Sequence, residues 1–270
     1  MPATASSAPP DTTGYICYNQ SMNPNAISPE ELARYHRHLL LPGIDRNGQA
    51  RLKAASVLII GLGGLGSPNA LYLAAAGVGH LGLMDADIVT ETNLQRQVVH
   101  SEAALGELKV ASAARRLHEL NRYCRLDTYP ARFTEDNAAI VGEYDIIIDA
   151  TDNFTARTLI NRACVAHRKP MVYGAVYHFD GQCSIFAPHL SAPCYQCVFS
   201  QPPRDSGEEI GVFGVLPALI GSLQATETLK LILGIGQNML GKLVIYNALD
   251  LTFQTIQLRT DPTCPVCGSA

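Results

Sequence analysis

The apolar run Val57-Leu58-Ile59-Ile60 leads straight into Gly61-Leu62-Gly63-Gly64-Leu65-Gly66, and this junction constrains the fold more than any other stretch of the chain. A buried strand, a cluster of glycines and then the helical pattern of residues 64–76 make a strand–turn–helix unit. The glycines permit a tight turn and let backbone N–H groups at a helix N-terminus face an anion. Gly61, Gly63, Gly64 and Gly66 are therefore candidate nucleotide contacts. The pattern alone suits NAD-dependent dehydrogenases as well as other nucleotide binders. Charged residues downstream must separate hydride transfer from chemistry at the phosphates.

The alternation continues along the chain. Strand patterns fall at 56–60, 80–84, 124–129, 145–149, 171–176 and 182–187, and helical patterns at 64–76, 102–120, 135–142 and 153–167. Apolar strands separated by helices predict an α/β fold, a Rossmann-like, doubly wound, mostly parallel sheet covered on both faces. Ser28-Pro29-Glu30-Glu31 reads as a helix start, with Ser as cap, Pro at the first position and acids in the first turn. That helix is expected to run to about Leu40, with a second from Asp45 to Lys53. A long apolar helix over 215–233 and antiparallel C-terminal strands over 242–247 and 250–258 complete the pattern. Residues 1–27 are rich in Pro, Ser, Thr and Asn and are expected to be a disordered tail, with Met22 an alternative start. Residues 28–270 read as one domain, and the polar stretch at about 198–211 as a mobile loop.

A formal charge of −4 over 270 residues gives no reason to expect nucleic acid or an anionic membrane surface as partner. No apolar run approaches the roughly 20 residues of a spanning helix, and the N-terminus lacks the features of a secretory signal, so a cytoplasmic location is expected. Eight cysteines are present. Cys194-Tyr195-Gln196-Cys197 and Cys264-Pro265-Val266-Cys267 are two C-x₂-C pairs, which in a cytosolic chain read as a tetrahedral four-cysteine zinc site. Four thiolates leave no open position, so the site reads as structural. Of the others, Cys17 falls in the tail, and Cys124, Cys164 and Cys183 read as buried apolar residues.

Asp85 ends the second strand, where an acid accepts hydrogen bonds from the ribose hydroxyls of NAD or ATP alike. Thr92-Asn93-Leu94-Gln95-Arg96-Gln97 then places a cation and amides just beyond it, and Lys109 opens a helical run. Taken singly, Arg96 or Lys109 is more often a solvated surface charge. Together after the glycine turn, they suit an enzyme that must stabilise charge developing on a phosphate. Asp149-Ala150-Thr151-Asp152-Asn153 ends the next buried strand, where polar groups line the ligand crevice of an open α/β sheet. Asp152 can hold Mg²⁺ against nucleotide phosphates, or simply cap the helix that follows.

In this order the motifs resemble the ThiF/MoeB/HesA family, bacterial relatives of ubiquitin-activating enzymes. The resemblance spans about residues 30–268 and rests on Arg34-Tyr35-His36-Arg37, Gly61–Gly66, Asp85, Asn93-Leu94-Gln95-Arg96-Gln97, Lys109, Ala150-Thr151-Asp152-Asn153, Gly221-Ser222-Leu223-Gln224-Ala225 and both C-x₂-C pairs. It implies ATP-dependent adenylation of the C-terminal carboxylate of a small ubiquitin-like sulfur-carrier protein ending in Gly-Gly. By the same resemblance Gly64 approaches the phosphates, Asp85 holds the ribose, and Asn93, Arg96 and Lys109 contact phosphates. Asp152 would bind Mg²⁺, the cysteines zinc, and Arg37 would reach the partner's ATP in a homodimer, although the residues alone suggest an ordinary surface arginine. A C-terminal carboxylate has a pKa of about 3.5, so it is ionised at neutral pH and needs no general base.

One position departs from the family pattern. Several members carry a cysteine in the loop before Gly211-Val212-Phe213-Gly214, and Gly207 stands there in this chain, with no cysteine anywhere in 198–221. The expectation is an enzyme that stops at the acyl-adenylate. Sulfur would then come from a separate sulfurtransferase or cysteine desulfurase, since the chain ends at Ala270 without a rhodanese-like segment. Two readings compete: an NAD-dependent oxidoreductase, which leaves Arg37, Arg96, Lys109 and Asp152 without a joint purpose, and an inactive scaffold that binds a ubiquitin-like protein.

Overall fold

The computed structural model describes residues 27–201 and 211–268. Most of the expected tail, with Met22 and Cys17, lies outside them, as do Gly207, Ala270 and most of the expected mobile loop.

The helical elements are α1 (Pro29–Arg34), α2 (His36–Leu39), α3 (Arg46–Ala54), α4 (Gly66–Ala76), α5 (Lys109–Leu120), α6 (Phe154–Ala166), α7 (Tyr195–Val198) and α8 (Leu216–Leu233). The strands are β1 (Ser56–Ile60), β2 (His80–Met84), β3 (Arg125–Tyr129), β4 (Ile146–Asp149), β5 (Met171–Tyr177), β6 (Asp180–Phe186), β7 (Lys242–Asn247) and β8 (Thr252–Gln257). They form one eight-stranded sheet in the order β3-β2-β1-β4-β5-β6-β7-β8. The first five in that order are parallel, and β5 through β8 pair antiparallel, as the sequence pattern predicts.

Side chains alternate between the two faces of each strand, and here both faces are apolar. Val57, Ile59, Leu81, Leu83, Ile146 and Ile148 face a cluster completed by Leu52, Leu73, Val110, Leu117, Ile220 and Leu231 from α3, α4, α5 and α8. Leu58, Ile60, Met84 and Ile147 face the opposite cluster with Val141 and with Ile160 and Cys164 of α6. The connections out of β1 and β4 thus cover opposite faces. Between those two strands lies the topological switch point, where open α/β sheets take their ligands. Register aligns Ile60 with both Met84 and Asp149, so Gly61, Asp85 and Ala150 leave the sheet side by side.

Three helices differ from the periodicity. The first is interrupted at Tyr35 (φ −93°, ψ 13°), whose buried hydroxyl accepts a hydrogen bond from Asn121 at 2.8 Å, a tertiary anchor that a local pattern does not carry. The run 102–120 is a 3₁₀ turn (Glu102–Ala104) followed by α5, broken where Gly106 takes a left-handed φ of 81°. There the chain pairs instead with the exit from β2: Gly106 N donates to Val89 O, and Val89 N to Glu107 O, both at 2.9 Å. Glu135–Glu143 is 3₁₀ rather than α. Cys124, Cys164 and Cys183 are buried, as expected.

Where β4 ends, α8 supplies the missing backbone partners. The side-chain amide of Gln224 donates to Asp149 O at 2.7 Å and to Val172 O at 3.0 Å, and its oxygen accepts from Asn69 of α4 at 3.0 Å. A side chain at Gly174 would fall 2.5 Å from this amide. Gln224 is fully buried. Gln224→Leu should therefore lower unfolding stability by about 3 kcal/mol, since it strands two buried carbonyls. Urea unfolding measures this, and an unchanged midpoint would contradict the role.

Candidate active site and cysteine cluster

The glycine turn closes tightly on the sheet. Gly61 has φ 96°, and a Cβ on it would sit 2.6 Å from Ala150 O; a Cβ on Gly66 would sit 2.0 Å from Gly61 O. These two glycines let strand, turn and helix approach. At Gly64 the Cβ position is taken by Pro217 of α8 (2.8 Å), so packing alone already requires a glycine there. Gly63 is different, because a Cβ there meets only Gln97 Nε2 at an ordinary 3.5 Å. Among the described residues, the backbone N–H groups of Gly63, Gly64 and Leu65 donate to no protein acceptor. Buried Gln97, beside Gly63, leaves its Oε1 without a partner. Free donors at the start of α4 fit an anion such as a nucleotide phosphate.

Asp85 stands at the mouth of the turn, half-buried, and takes two backbone donors: Leu62 N at 2.7 Å and Asp87 N at 2.8 Å. Its geometry leaves carboxylate lone pairs for ribose hydroxyls. Arg96 lies along the turn, its Cγ 3.6 Å from the Cβ position of Gly64, and donates to Thr92 O at 3.1 Å. The Asn93 side chain engages none of the described residues. Lys109 is the first residue of α5 and only 5% exposed. A cation at a helix N-terminus opposes the helix dipole, and burial adds to the cost. Asp87 offsets this: its Oδ2 accepts from Lys109 Nζ at 3.1 Å and its backbone oxygen from Lys109 N at 2.9 Å. His100 is buried between the turn and α5, with Nε2 3.1 Å from Leu62 O and Nδ1 3.0 Å from Ser112 Oγ. Burial holds its pKa below the usual imidazole value, and the nearby Lys109 ammonium acts the same way.

Beside the turn, the segment after β4 is fixed from beneath. Asp149 is fully buried and accepts from Thr151 N at 3.0 Å and Thr151 Oγ1 at 2.6 Å, facing Arg157 Nε at 3.8 Å. Arg157 in turn donates to Thr151 O at 3.0 Å. Burial raises the Asp149 pKa, and the Arg157 charge opposes that rise. Asn153, not Asp152, caps α6, accepting from Ala156 N at 2.8 Å. Asp152 is therefore exposed and released from capping, with a carboxylate suited to Mg²⁺. Arg37 lies apart on α2, exposed and without a side-chain partner among the described residues.

The two cysteine pairs meet. Cys194, Cys197, Cys264 and Cys267 place their sulfurs within 4.8 Å of one another, with Sγ–Sγ separations of 3.8, 3.6 and 3.3 Å for 194–197, 194–264 and 197–267. A zinc tetrahedron with Zn–S near 2.3 Å has edges of about 3.8 Å, so the four sulfurs fit that ion. Burial pushes the Cys194 thiol up to about 11, so a cation is what would hold it as thiolate at neutral pH.

The turn, Asp85, Arg96, Lys109 and the Asp152 segment thus gather at one switch point, while Arg37 does not join them within one chain. Asp87, His100 and Arg157 escaped the sequence reading. Asp87 was legible as the second acid of Asp85-Ala86-Asp87; nothing local marks the other two.

The ThiF family model matches residues 35–266. The sulfur carrier protein adenylyltransferase of Thermus thermophilus is 48% identical over 248 residues, 88% of this chain and 92% of that protein. The SAMP-activating enzyme E1 of Haloferax volcanii is 41% identical, covering 90% and 91%. The probable adenylyltransferase/sulfurtransferase MoeZ of Mycobacterium tuberculosis is 45% identical, but this chain spans 64% of its length. A crystal structure of E. coli MccB with ATP shares the fold, with a TM-score of 0.77 at 22% identity over 92% of this chain and 77% of that one. With its motifs in family order, its sheet in the expected topology and a family model running from Tyr35 to Val266, the chain belongs to the ThiF family.

Proposed function

We propose that this chain is an ATP–Mg²⁺-dependent adenylyltransferase, with residues 28–270 as a single adenylation domain. Its substrate would be the C-terminal Gly-Gly carboxylate of a small ubiquitin-like sulfur-carrier protein. The observation that carries the reading is the set of N–H groups at Gly63–Leu65 that have no partner among the described residues, flanked by Arg96 and the segment bearing Asp152. Asp85 and Lys109 stand on the β2 side of the same turn, linked to it through Leu62 and Asp87. The names of related proteins, a sulfur carrier protein adenylyltransferase and a probable adenylyltransferase/sulfurtransferase, support the substrate class.

In this reading the carrier carboxylate, already ionised, forms the new O–P bond at the α-phosphorus while the bond to pyrophosphate breaks. The turn N–H groups, Arg96 and Lys109 offset repulsion between the two anions and stabilise charge on the phosphoryl oxygens. Asn93 contributes amide contacts to phosphate, and Asp85 orients the ribose. Asp152 would hold Mg²⁺, which screens the phosphate charge when bound. Arg37, exposed and without a side-chain partner among the described residues, would act on the ATP of a second subunit in a homodimer, as the family resemblance implies. Transfer of sulfur to the adenylate is assigned to a separate sulfurtransferase or cysteine desulfurase. Carrier contacts fall to the C-terminal strands and the turn that joins them, where Leu249 and Leu251 of the turn and Phe253 of β8 are exposed at 67%, 74% and 58%. The four cysteines would hold a structural zinc. Among the described residues no helix is long and apolar enough to cross a membrane; the reaction is proposed to be cytoplasmic.

Mg²⁺–ATP should raise the melting temperature where NAD does not, and a response to NAD alone would overturn the proposal. ATP–pyrophosphate exchange should require a carrier with an intact Gly-Gly terminus, and Lys109→Ala or Arg96→Ala should each lower its kcat by about 100-fold.

Metal analysis should find zinc at one ion per chain. Cys194→Ser, or chelation, should lower the melting temperature by roughly 10 °C, as loss of several kcal/mol predicts for a chain of this size. A metal-free protein of unchanged stability would remove zinc from the account.

A further inference from the structure

The reading above leaves His100 without a task, yet it is buried against the nucleotide turn. We infer that His100 is a positioning residue for the phosphate-facing turn, holding the Leu62 carbonyl while Asp85 holds the Leu62 N–H. The inference rests on the turn holding ATP phosphates, as proposed above.

Leu62 is fully buried, and both polar groups of its backbone are taken: the N–H by Asp85 at 2.7 Å and the carbonyl by His100 Nε2 at 3.1 Å. A carbonyl can only accept, so Nε2 carries the proton and Nδ1 is the acceptor in a neutral imidazole. The Ser112 hydroxyl at 3.0 Å then donates to Nδ1. Burial disfavours the charged ring, which keeps this tautomer in place.

These bonds belong to a closed circuit. Ser112 lies one turn after Lys109 on α5. Lys109 donates to Asp87 from both its ammonium (3.1 Å) and its backbone N–H (2.9 Å). Asp87 N donates to Asp85 at 2.8 Å, and Asp85 returns to Leu62. The circuit thus ties together the turn, the ribose acid and the phosphate cation. Gly63, Gly64 and Leu65, whose N–H groups donate to none of the described residues, follow Leu62 directly in the chain. With the Leu62 N–H and the Leu62 carbonyl both held, and that carbonyl in the same peptide plane as Gly63 N–H, the direction in which those groups point is fixed. His100 reaches none of the reacting atoms in this scheme; it acts through Leu62 and, by way of Ser112, through the helix that begins at Lys109. A catalytic site tolerates little looseness in such donors.

A core-filling histidine and a positioning histidine respond oppositely to two substitutions. His100→Phe keeps the ring volume but donates nothing to Leu62 O. His100→Gln gives up ring volume but carries an amide that can donate from close to the Nε2 position. Titration calorimetry with the non-hydrolysable α,β-methylene analogue of ATP and Mg²⁺, on the full-length protein, reads the difference. Loss of one buried hydrogen bond that orders the turn predicts a Kd about tenfold higher for His100→Phe, and rescue to within about threefold by His100→Gln. Analogue bound by His100→Phe as tightly as by the unaltered protein, or more tightly than by His100→Gln, overturns the inference. Should His100→Phe not fold, Ser112→Ala decides: it keeps the imidazole but removes the donor to Nδ1. A Kd raised about threefold supports the circuit, and an unchanged Kd overturns it. An unaltered protein that binds no ATP analogue sinks the nucleotide reading together with this inference; equal binding by both proteins sinks this inference alone.

Discussion

Parallel strands that stop side by side leave backbone donors and acceptors with no ladder to join, and most features of this molecule follow from how those groups are satisfied. At the ends of β1, β2 and β4 the sheet hands its bonds over one by one. Gly61 N takes Met84 O at 2.8 Å, Ala150 N takes Ile60 O at 2.9 Å, and Leu62 N takes Asp85. Asp149 O and Val172 O are met by Gln224, reaching in from α8. What remains after these pairings is a short run of N–H groups at the start of α4. The candidate site is thus the stretch of backbone left unpaired among the described residues, at a place where helix and strand ends favour an anion.

Features whose cause is local were legible in the sequence. The strands announced themselves because both faces of a parallel sheet are apolar, so Val57–Ile60 and Ile146–Ile148 read as continuous runs. The glycine turn and the paired C-x₂-C spacing were equally visible, since each reflects a constraint within a few residues. The helix expected over 102–120 failed for the opposite reason. Its start is set by pairing between residues 87–89 and 106–109, a contact that 3.6-residue periodicity cannot encode. His100 and Arg157 were missed on the same ground, because their partners, Leu62 and Asp149, are distant in sequence or belong to another element. Gly64 carries a subtler lesson. The family resemblance implies that it approaches the phosphates, and Pro217 independently occupies the space a side chain would need. Gly63, which faces no such neighbour, is the glycine whose missing side chain packing does not explain.

In the proposed adenylation, Lys109 is the residue whose electrostatics favour phosphate over redox chemistry. Stability alone gives no reason to bury an ammonium at the N-terminus of a helix, because the dipole and desolvation both act against it. Asp87 makes the arrangement tolerable but does not require it, since that carboxylate is itself 57% exposed and could be solvated without a partner. An NAD-dependent hydride transfer gives no evident use to a cation held near Asp85, whereas displacement at a phosphate, as proposed, needs positive charge fixed in place before the reaction begins. The same reasoning explains why the cation is tethered on two sides, by Asp87 and by the start of α5, instead of reaching in from a flexible loop. A charge that must be in position when the phosphoryl oxygens gain theirs is most effective where its reorganisation has been completed by folding.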